Sequence, residues 1–549
     1  MRQTTLSVPL EVKPQSCARL TALIDALKQR EESPPFNQPK NYARIMREVP
    51  SLHFMSMSVF PSASFDPLFI LEANFDGSPG VFWGQLEAAM GEDLRAILRC
   101  CKPPRDSDAE LYAAVTDPGS RAPVAPYLEA RTERPTVFHH GNRGLTRDRI
   151  LDDAALFDAL RQEIDGTDGK SPYRGRGACE AHAAMRSAML PRFPWLDDRA
   201  PKRIALTERL ADLARFSLFA VVVLFVLSLP GLMLAPFLPW RGYLILIAAL
   251  AVAIALIVFV NRKGPAGTGT GGRFPWAMFR PKFVLLLALA IAAYTVVATL
   301  LLIPGAWAAS RIGEWLGADT KLAFDETWRP VSRTVLLGLA GVLVSVPLLL
   351  LWLHYLEKRD SAHDAPPIDE RTLREMVRRE DWIAQNHMGS IVLIKPGILR
   401  AIIIRAGHLG LGLLLRVVAT SGYLGSMRTV HFAHWAFMNN SARLLFFSNF
   451  DFSWDSYLDD FIEKAHEGLT VAWGCGVGFP PTRFLLYDGA SHGRQFKNWA
   501  LASRSVSRFW YSAYRDLTVD QIERNHKIAN GLRRERLSDK DAATWMRLL

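Results

Sequence analysis

Four stretches of the chain stay apolar for the roughly 20 residues that a helix needs to cross a bilayer: 216–237, 243–260, 283–303 and 335–353. None of them contains Asp, Glu, Lys, Arg or His. Ion and proton pathways normally place such groups at membrane depth, so the spacing predicts an anchor rather than a transporter. Only "LPWRG" separates the first two stretches, which makes them a tight helical hairpin. On either side of this block the pattern changes to short strand-like runs alternating with helical periods. After the block, "SIVLIK" reads as a strand and "GILRAIIIRAGHLGLGLLLRVV" as a helix. "TVHFAHWAFM" and "ARLLFFSNFD" read as a strand hairpin turning at Asn439-Asn440, followed by the helix "SWDSYLDDFIEKAHEGL" and a fourth strand in "TRFLLYD". Before the block the same order appears in "LSVPLEVK", "CARLTALIDALKQ", "LHFMSMSVF", "LFILEANFD" and "GVFWGQLEAAMGEDLRAIL". Its fourth strand falls within "ELYAAVT" or "PTVFHH".

The two flanks also match residue by residue. Lys13-Pro14 pairs with Lys395-Pro396, and His53-Phe54 with His431-Phe432. Asn74-Phe75-Asp76 with Ser78 pairs with Asn449-Phe450-Asp451 with Ser453, and Leu145-Thr146 with Leu517-Thr518. The separations are 382, 378, 375 and 372 residues, a steady shrinkage of the kind that small loop differences produce. Thr146 and Thr518 are expected helix N-caps. The element order is the split βαβ pattern of ferredoxin-like units. The expected fold is therefore α+β plus transmembrane α, with two ferredoxin-like βαββαβ repeats forming an intrachain pseudo-dimer and a four-helix membrane anchor between them. The expected divisions are repeat 1 over 1–165, a basic juxtamembrane linker over 166–212 and the four spans within 213–355. A charged linker over 356–385 and repeat 2 over 386–549 follow, the latter with an interfacial helix at 397–418. Two copies held on one side of an anchor sit at high effective concentration and can pair.

Charge bears on orientation and partners. The net charge is +11, which suits either nucleic acid or an anionic membrane surface. The basic residues crowd the membrane flanks and the aromatics lie in expected strands, so no nucleic-acid partner is expected. The segment before the first span and the loop after the second (Arg262, Lys263, Arg273, Arg280, Lys282) are rich in Arg and Lys, while the first hairpin loop has only Arg241. The positive-inside rule then puts both termini in the cytoplasm, and the expected location is a bacterial inner membrane crossed several times. The N-terminus lacks the apolar core of an export signal. The five cysteines (Cys17, Cys100, Cys101, Cys179, Cys475) show no paired spacing, so neither a disulfide framework nor a metal site is expected. "GTGTGG" at 267–272 lacks the Lys-Ser/Thr of a phosphate loop and reads as a linker.

The matched polar residues are the candidates for chemistry. His53 and His431 open equivalent strands. Strand parity puts Glu72, Asn74 and Asp76 on one face, and Phe447, Asn449 and Asp451 on another. Asn74, Asp76, Asn449 and Asp451 could line a cavity between the halves together with His53, His431 and His434. Alternatively Asp and Ser cap the following helix, Asn holds the turn, and the histidines are satisfied hydrogen-bonding groups. Arg400, Arg405, His408 and Arg416 share an arc of about 160° on one helix, which suits a position at lipid headgroups. A domain helix with an exposed basic edge is the other reading.

The paired plan resembles the dimeric α+β barrel superfamily, which includes dye-decolourising peroxidases, chlorite-dismutase-like haem proteins and small monooxygenases. The chain also resembles uncharacterised bacterial membrane proteins with two His-Phe…Asn-Phe/Tyr-Asp-Gly units. Asn74-Phe75-Asp76-Gly77 is similar to the peroxidases' Gly-Phe-x-Asp-Gly, but the second unit has Phe452 in place of the glycine. The resemblance implies an oxidoreductase of peroxidase or monooxygenase type acting on a lipid-soluble substrate, with haem as the cofactor it would bring. From the residues themselves the expectation is a membrane-anchored protein whose paired domains bind a small apolar or aromatic ligand. The competing expectation is a non-catalytic scaffold that docks a partner protein at the membrane.

Overall fold

A computed structural model describes residues 3–32, 42–62, 65–166, 171–200, 202–260, 281–317, 324, 326–360, 370–380, 384–419, 427–438, 442–485, 487–505 and 507–549. The N-terminal half holds strands β1 (Gln3–Glu11), β2 (Leu52–Phe60), β3 (Leu68–Asp76) and β4 (Val137–His140). Its helices are α1 (Cys17–Glu32), α2 (Ala43–Glu48), α3 (Pro79–Leu98), α4 (Ala109–Thr116), α5 (Ala125–Ala130), α6 (Arg147–Asp165) and α7 (Ala178–Met189). The membrane block follows as α8 (Leu206–Leu234), α9 (Trp240–Val260), α10 (Pro281–Trp315), α11 (Trp328–Ala340) and α12 (Val342–Lys358). The C-terminal half starts with α13 (Glu370–Glu380), β5 (Gln385–Leu393), α14 (Ile398–Val418), β6 (Val430–Met438), β7 (Arg443–Asp451) and α15 (Trp454–Trp473). It ends with β8 (Thr482–Arg483), β9 (Tyr487–Asp488), α16 (Gly493–Ala502), β10 (Arg504–Ser505), β11 (Ser507–Ser512), α17 (Val519–Leu532) and α18 (Asp539–Met546).

Each half builds a sheet whose middle is its own and whose last strand belongs to the other. One sheet runs β1-β3-β2-β11 and the other β10-β5-β7-β6-β4, with every pairing antiparallel. The segment ending in β4 starts against its own sheet, where Glu133 N donates to Ser7 O (2.8 Å), and finishes against β6. In the same way β10 pairs with β5 while β11, one residue further on, pairs with β2. Both edges of one sheet are thereby tied to both edges of the other, and the two sheets close into a barrel. Along β3, Phe69, Leu71, Ala73 and Phe75 join the core under the helices, whereas Ile70, Glu72 and Asn74 face the other sheet. The full burial of β2 and β3 follows from their having helices on one side and a second sheet on the other.

These strands correct one expectation and decide another. "TRFLLYD" is not the fourth strand of the second half: β8 and β9 pair only with each other, and β11 takes that place. The kinked α15, with Ala465 at φ −149° and ψ 26°, and the left-handed Phe484, Leu485 and Asp488 keep that stretch out of the barrel. In the first half "ELYAAVT" is helical and "PTVFHH" carries β4. The turn at Asn439-Asn440 and the stretch 267–272 lie outside the described residues.

Among the described residues, five helices are long and apolar enough to cross a membrane: Leu206–Phe237, Trp240–Val260, Val284–Trp315, Trp328–Lys358 and Ile398–Val418. Residues such as Leu218, Phe237, Ile245, Leu301 and Leu343 are more than 60 % exposed, a belt that a lipid bilayer would cover. The helices meet through small residues. A Cβ on Gly231 of α8 would lie 2.5 Å from the Tyr243 hydroxyl and 2.7 Å from Gly338 O, too close for any side chain but hydrogen. Tyr243 Oη donates to Leu337 O at 2.8 Å, and Ser228 and Tyr294 hydroxyls meet at 2.6 Å.

Among the described residues the membrane block is fastened to the barrel at several places. Glu357, in the last turn of α12, accepts hydrogen bonds from the backbone N–H groups of Phe484 and Leu485 (2.9 Å each) and from Thr482 Oγ1 (2.6 Å). The left-handed φ angles of Phe484 (56°) and Leu485 (55°) cost on the order of 1–2 kcal/mol apiece, and the carboxylate offsets part of that cost by bonding both exposed N–H groups. Helix α14 is a second fastening. Gly410 lets it approach Phe219 of α8, and His408 bridges Thr136 Oγ1 (3.2 Å) to Ala472 O (2.9 Å).

Because β11 completes the first sheet, breaking it should unfold the other end of the chain. The double substitution Trp510→Pro, Tyr511→Pro is expected to open residues 42–165 to limited proteolysis. Cleavage confined to residues beyond 385 would show that the N-terminal sheet stands without β11.

Candidate functional site

The matched histidines and aspartates form two equivalent staples at one end of the barrel. The β2–β3 ladder shifts register between Leu52 and Phe54, and the β6–β7 ladder between Val430 and Phe432, so His53 and His431 each sit on a bulge. His53 Nε2 lies 3.1 Å from Asp76 Oδ2, and His431 Nε2 lies 2.8 Å from Asp451 Oδ1. Each aspartate also accepts from a helix N-terminus: Arg147 N of α6 to Asp76 (2.8 Å) and Val519 N of α17 to Asp451 (2.9 Å). A carboxylate suits the positive end of a helix and its free N–H groups. The helices thus capped are the distant α6 and α17 rather than the adjacent α3 and α15. The aspartates lie on the inward face, where α6 and α17 enter, and Ser453 alone caps α15 with its side chain. Thr146 and Thr518 cap α6 and α17 as their positions require.

The staples are closed by a shared aromatic group. Phe54 and Phe432 meet at 5.5 Å between centroids, and each packs at 5.4 Å on the other half's histidine. His53 Nδ1 and the Tyr514 hydroxyl are 2.8 Å apart. Burial, with the nearby Asp76, Tyr511 and Asp451, pushes the Tyr514 phenol well above its ordinary pKa. His53, Asn74 and His431 are wholly buried, and Asp451 and Asn449 nearly so.

Asn74 and Asn449 do not hold turns; they meet inside the barrel around Glu72, a buried carboxylate that the second half lacks, since Phe447 occupies its place. Glu72 accepts from Ser56 Oγ (3.0 Å), from Asn74 Nδ2, and from Asn449 Nδ2 (3.4 Å), and His387 Nε2 approaches it at 3.4 Å. Trp510 Nε1 donates to Asn449 Oδ1 (2.9 Å), and the hydroxyls of Ser507 and Ser7 reach His387 Nδ1 (2.6 Å) and His434 Nε2 (2.7 Å). Burial would raise the Glu72 pKa, but His387, His434 and Asn74 outweigh it and hold it below the usual carboxylate value. Burial is the main reason that His434 is pushed down to about 4. The positions between the sheets are thus filled by side chains bonded to one another. They do not fit a haem there. Among the described residues no group of three His, Cys, Asp or Glu is placed to hold a metal ion.

Open space lies elsewhere. A cavity of about 40 Å³ sits on the seam between barrel and membrane block, among Phe138, His139, His140, Arg143, Arg203, Glu208, Leu415, Arg416 and Ala419. His139 and His140 are 3 % and 6 % exposed, and the Nε2 atom of each is buried without a hydrogen-bond partner among the described residues. Burial pushes His139 down to about 3 and His140 well below its ordinary value, so both rings are neutral. Successive strand residues face opposite ways, so the two rings lie on opposite faces of β4, with His140 against the Phe432 ring at 4.8 Å. A second cavity of about 20 Å³, walled by Phe446, Tyr457, Phe461, Trp473, Phe496 and Trp499, lies under α15 and α16. It is apolar and has room for about one water-sized probe.

The basic residues of α14 separate. Arg400 donates to Leu356 O (3.1 Å) and lies 3.5 Å from Asp360, both at the end of α12. Arg416 lies 3.7 Å from Asp212 in α8 and over the Phe138 ring. His408 points inward and is fully buried, so it does not share the role expected for the arginines, whereas Arg405 is exposed.

Compared with family models, with curated proteins and with solved structures, the chain matches none. Several residues of consequence had no counterpart across the repeat: Glu72, His387, Trp510 and Arg203. Pairing the halves singles out what they share. The inner network and the seam cavity are made from what they do not.

His434 gives this network a pH signature. An unfolded imidazole gains its proton near 6.5 and the folded one only near 4, so between these values the unfolded chain binds more protons. Stability therefore falls as the pH drops from 6.5 to 4, by about 3 kcal/mol from this group. Glu72, with a lowered pKa, acts in the same direction at lower pH: its contribution is present above the unfolded carboxylate value and lost as pH falls through the folded one. In His434→Gln the fall in thermal midpoint between pH 7 and pH 5 should shrink. An unchanged fall would rule out His434 as a source of acid lability.

Proposed function

We propose that this chain is a membrane-anchored binding protein that takes a small ligand with polar groups at the seam between its barrel and the bilayer. The observation that carries this reading is the seam cavity itself, a space of about 40 Å³ between β4, the end of α14 and the first turns of α8. We read the barrel as a duplicated ferredoxin-like unit. β1 and β5 begin at Gln3 and Gln385, β2 and β6 at Leu52 and Val430, and β3 and β7 at Leu68 and Arg443, separations of 382, 378 and 375 residues. Each unit keeps the first, third and second strands in order and lends its fourth to the other.

Four of the five apolar helices are proposed to span. β5 and β6 both flank β7 in one sheet, so α14, which connects them, starts and ends on the same side of the membrane. Its arginines reach the end of α12 and the start of α8, which share a side when four helices cross. Because β11 pairs with β2, residues before α8 and after α12 share that side too. The distribution of Arg and Lys makes it the cytoplasmic face of a bacterial inner membrane, with α14 lying in the interface and Arg400 and Arg416 near lipid headgroups. Impermeant maleimide applied to spheroplasts should label Pro239→Cys and leave Ser421→Cys unlabelled; labelling at 421 would mean that α14 crosses.

An oxidoreductase step of peroxidase or monooxygenase type would need its cofactor outside the barrel interior. The scaffold reading is favoured by one observation, the filled space between the sheets. Native mass spectrometry of the gently solubilised chain separates the two. A bound small molecule that disappears in Ala419→Phe, which fills the seam cavity, supports ligand binding. A bare chain that recovers a protein partner supports the scaffold.

A further inference from the structure

The end of the membrane block away from the barrel carries a charged cluster of its own. Trp240, the first residue of α9, is 45 % exposed, and two arginines from different helices approach its ring. Arg241 Cζ lies 5.3 Å from the ring centroid, and Cζ of Arg333, on α11, lies 5.9 Å from it. The hydrogen bond from Tyr243 Oη to Leu337 O, one turn deeper, holds the two helices in this register. Both arginines are exposed, and neither has an ion-pair partner among the described residues. Arg311, at the same end of the block, is by contrast paired with Glu314 at 3.1 Å. Two like charges brought to one ring repel, and an anion beside them removes that repulsion.

The depth of the cluster suits a lipid phosphate. Arg241 and Arg333 each stand two residues before an apolar stretch, 243–260 and 335–353. At the helical rise per residue this is about 3 Å outside the hydrocarbon, within the headgroup layer. Tryptophan favours the same layer. Below each arginine the helix face is apolar and open. Ile245, Val252 and Leu256 follow Arg241 at i+4, i+11 and i+15, and Leu336 and Leu343 follow Arg333 at i+3 and i+10. All five are more than half exposed, so two rows on which acyl chains can lie run from the arginines toward the bilayer centre.

We propose that Trp240, Arg241 and Arg333 form a site for the headgroup of an anionic phospholipid in the leaflet facing away from the barrel. The guanidinium groups donate to phosphate oxygens, the indole ring keeps the two arginines together, and the acyl chains lie along Ile245 and Leu336. The site is separate from the seam and does not depend on what the seam takes. It rests on α9 and the α11–α12 pair crossing the bilayer.

The test uses the full chain in a lipid-free, uncharged detergent. Native mass spectrometry counts the dioctanoylphosphatidylglycerol and dioctanoylphosphatidylcholine that it retains. The expected result is one phosphatidylglycerol per chain that the double variant Arg241→Gln, Arg333→Gln fails to retain, its affinity there falling by about tenfold or more. Lipids held elsewhere, beside Arg400 and Arg416 for example, are common to both proteins and cancel in the difference. The double variant Arg241→Lys, Arg333→Lys keeps both charges and should lose less. Each single glutamine variant is measured as well, so that a folding defect in the double variant leaves two proteins to decide. Equal retention of phosphatidylglycerol by the native chain and the glutamine variants would overturn the site. Loss of phosphatidylcholine in step with phosphatidylglycerol would overturn the preference for an anionic lipid. Displacement of the lipid by an equal concentration of inorganic phosphate would overturn the lipid as the occupant.

Discussion

A strand at the edge of a sheet presents unpaired N–H and C=O groups that must be paired, covered or wetted. In this chain each half leaves its second strand with such an edge, and only the other half can close it. β11 lies on β2 and β4 lies on β6, and the segments leading into both strands begin on their own sheets. The exchange makes the barrel one cooperative body even though residues far apart in the chain supply it. It also sets a rule for the membrane block: whatever crosses the bilayer between the halves must return to the side it left.

Inside the barrel, near-symmetry and its breaking have different consequences. The Asp76 and Asp451 staples are alike in partner, distance and position, and they do the same mechanical work of holding a bulge to a helix N-terminus. The network around Glu72 has no such twin. Thr5 stands where the other half has His387, Ser56 where it has His434, and Glu72 where it has Phe447. A charged carboxylate with no access to water is expensive unless several donors meet it, and here the donors come from both sheets. The network therefore works as a registry device, since a slip of either sheet would leave Glu72 without Asn449 and His387.

The fastenings to the membrane block are polar as well. Glu357 holds a strained turn, Arg400 and Arg416 pin the ends of α14, and Arg143 joins β4's loop to the first turns of α8. These contacts surround the seam and make it a defined space rather than a loose junction.

Some of this was legible along the chain. Apolar runs without charges specify membrane helices because length and transfer energy are local properties. Matched motifs at steady spacings located the strands, because a strand's alternation is written in its own residues. His53 with His431, and Asp76 with Asp451, could be picked out as matched positions for the same reason. What they do could not: Asp76 caps α6, some 70 residues on, because of how the chain returns to the inward face. "TRFLLYD" has the alternation of a strand, but the positive φ angles and the pull of Glu357 exclude it from the sheet. The second half's fourth strand was misplaced and the first half's was left between two segments, because their partners lie in the opposite half. Glu72 looked like one more polar residue on an alternating strand until folding placed it between two sheets. The chain alone determined its elements and its membrane character, which rest on neighbours in sequence. Only tertiary structure decided which edges join, which histidines are spent and which are left open, because those depend on partners hundreds of residues away.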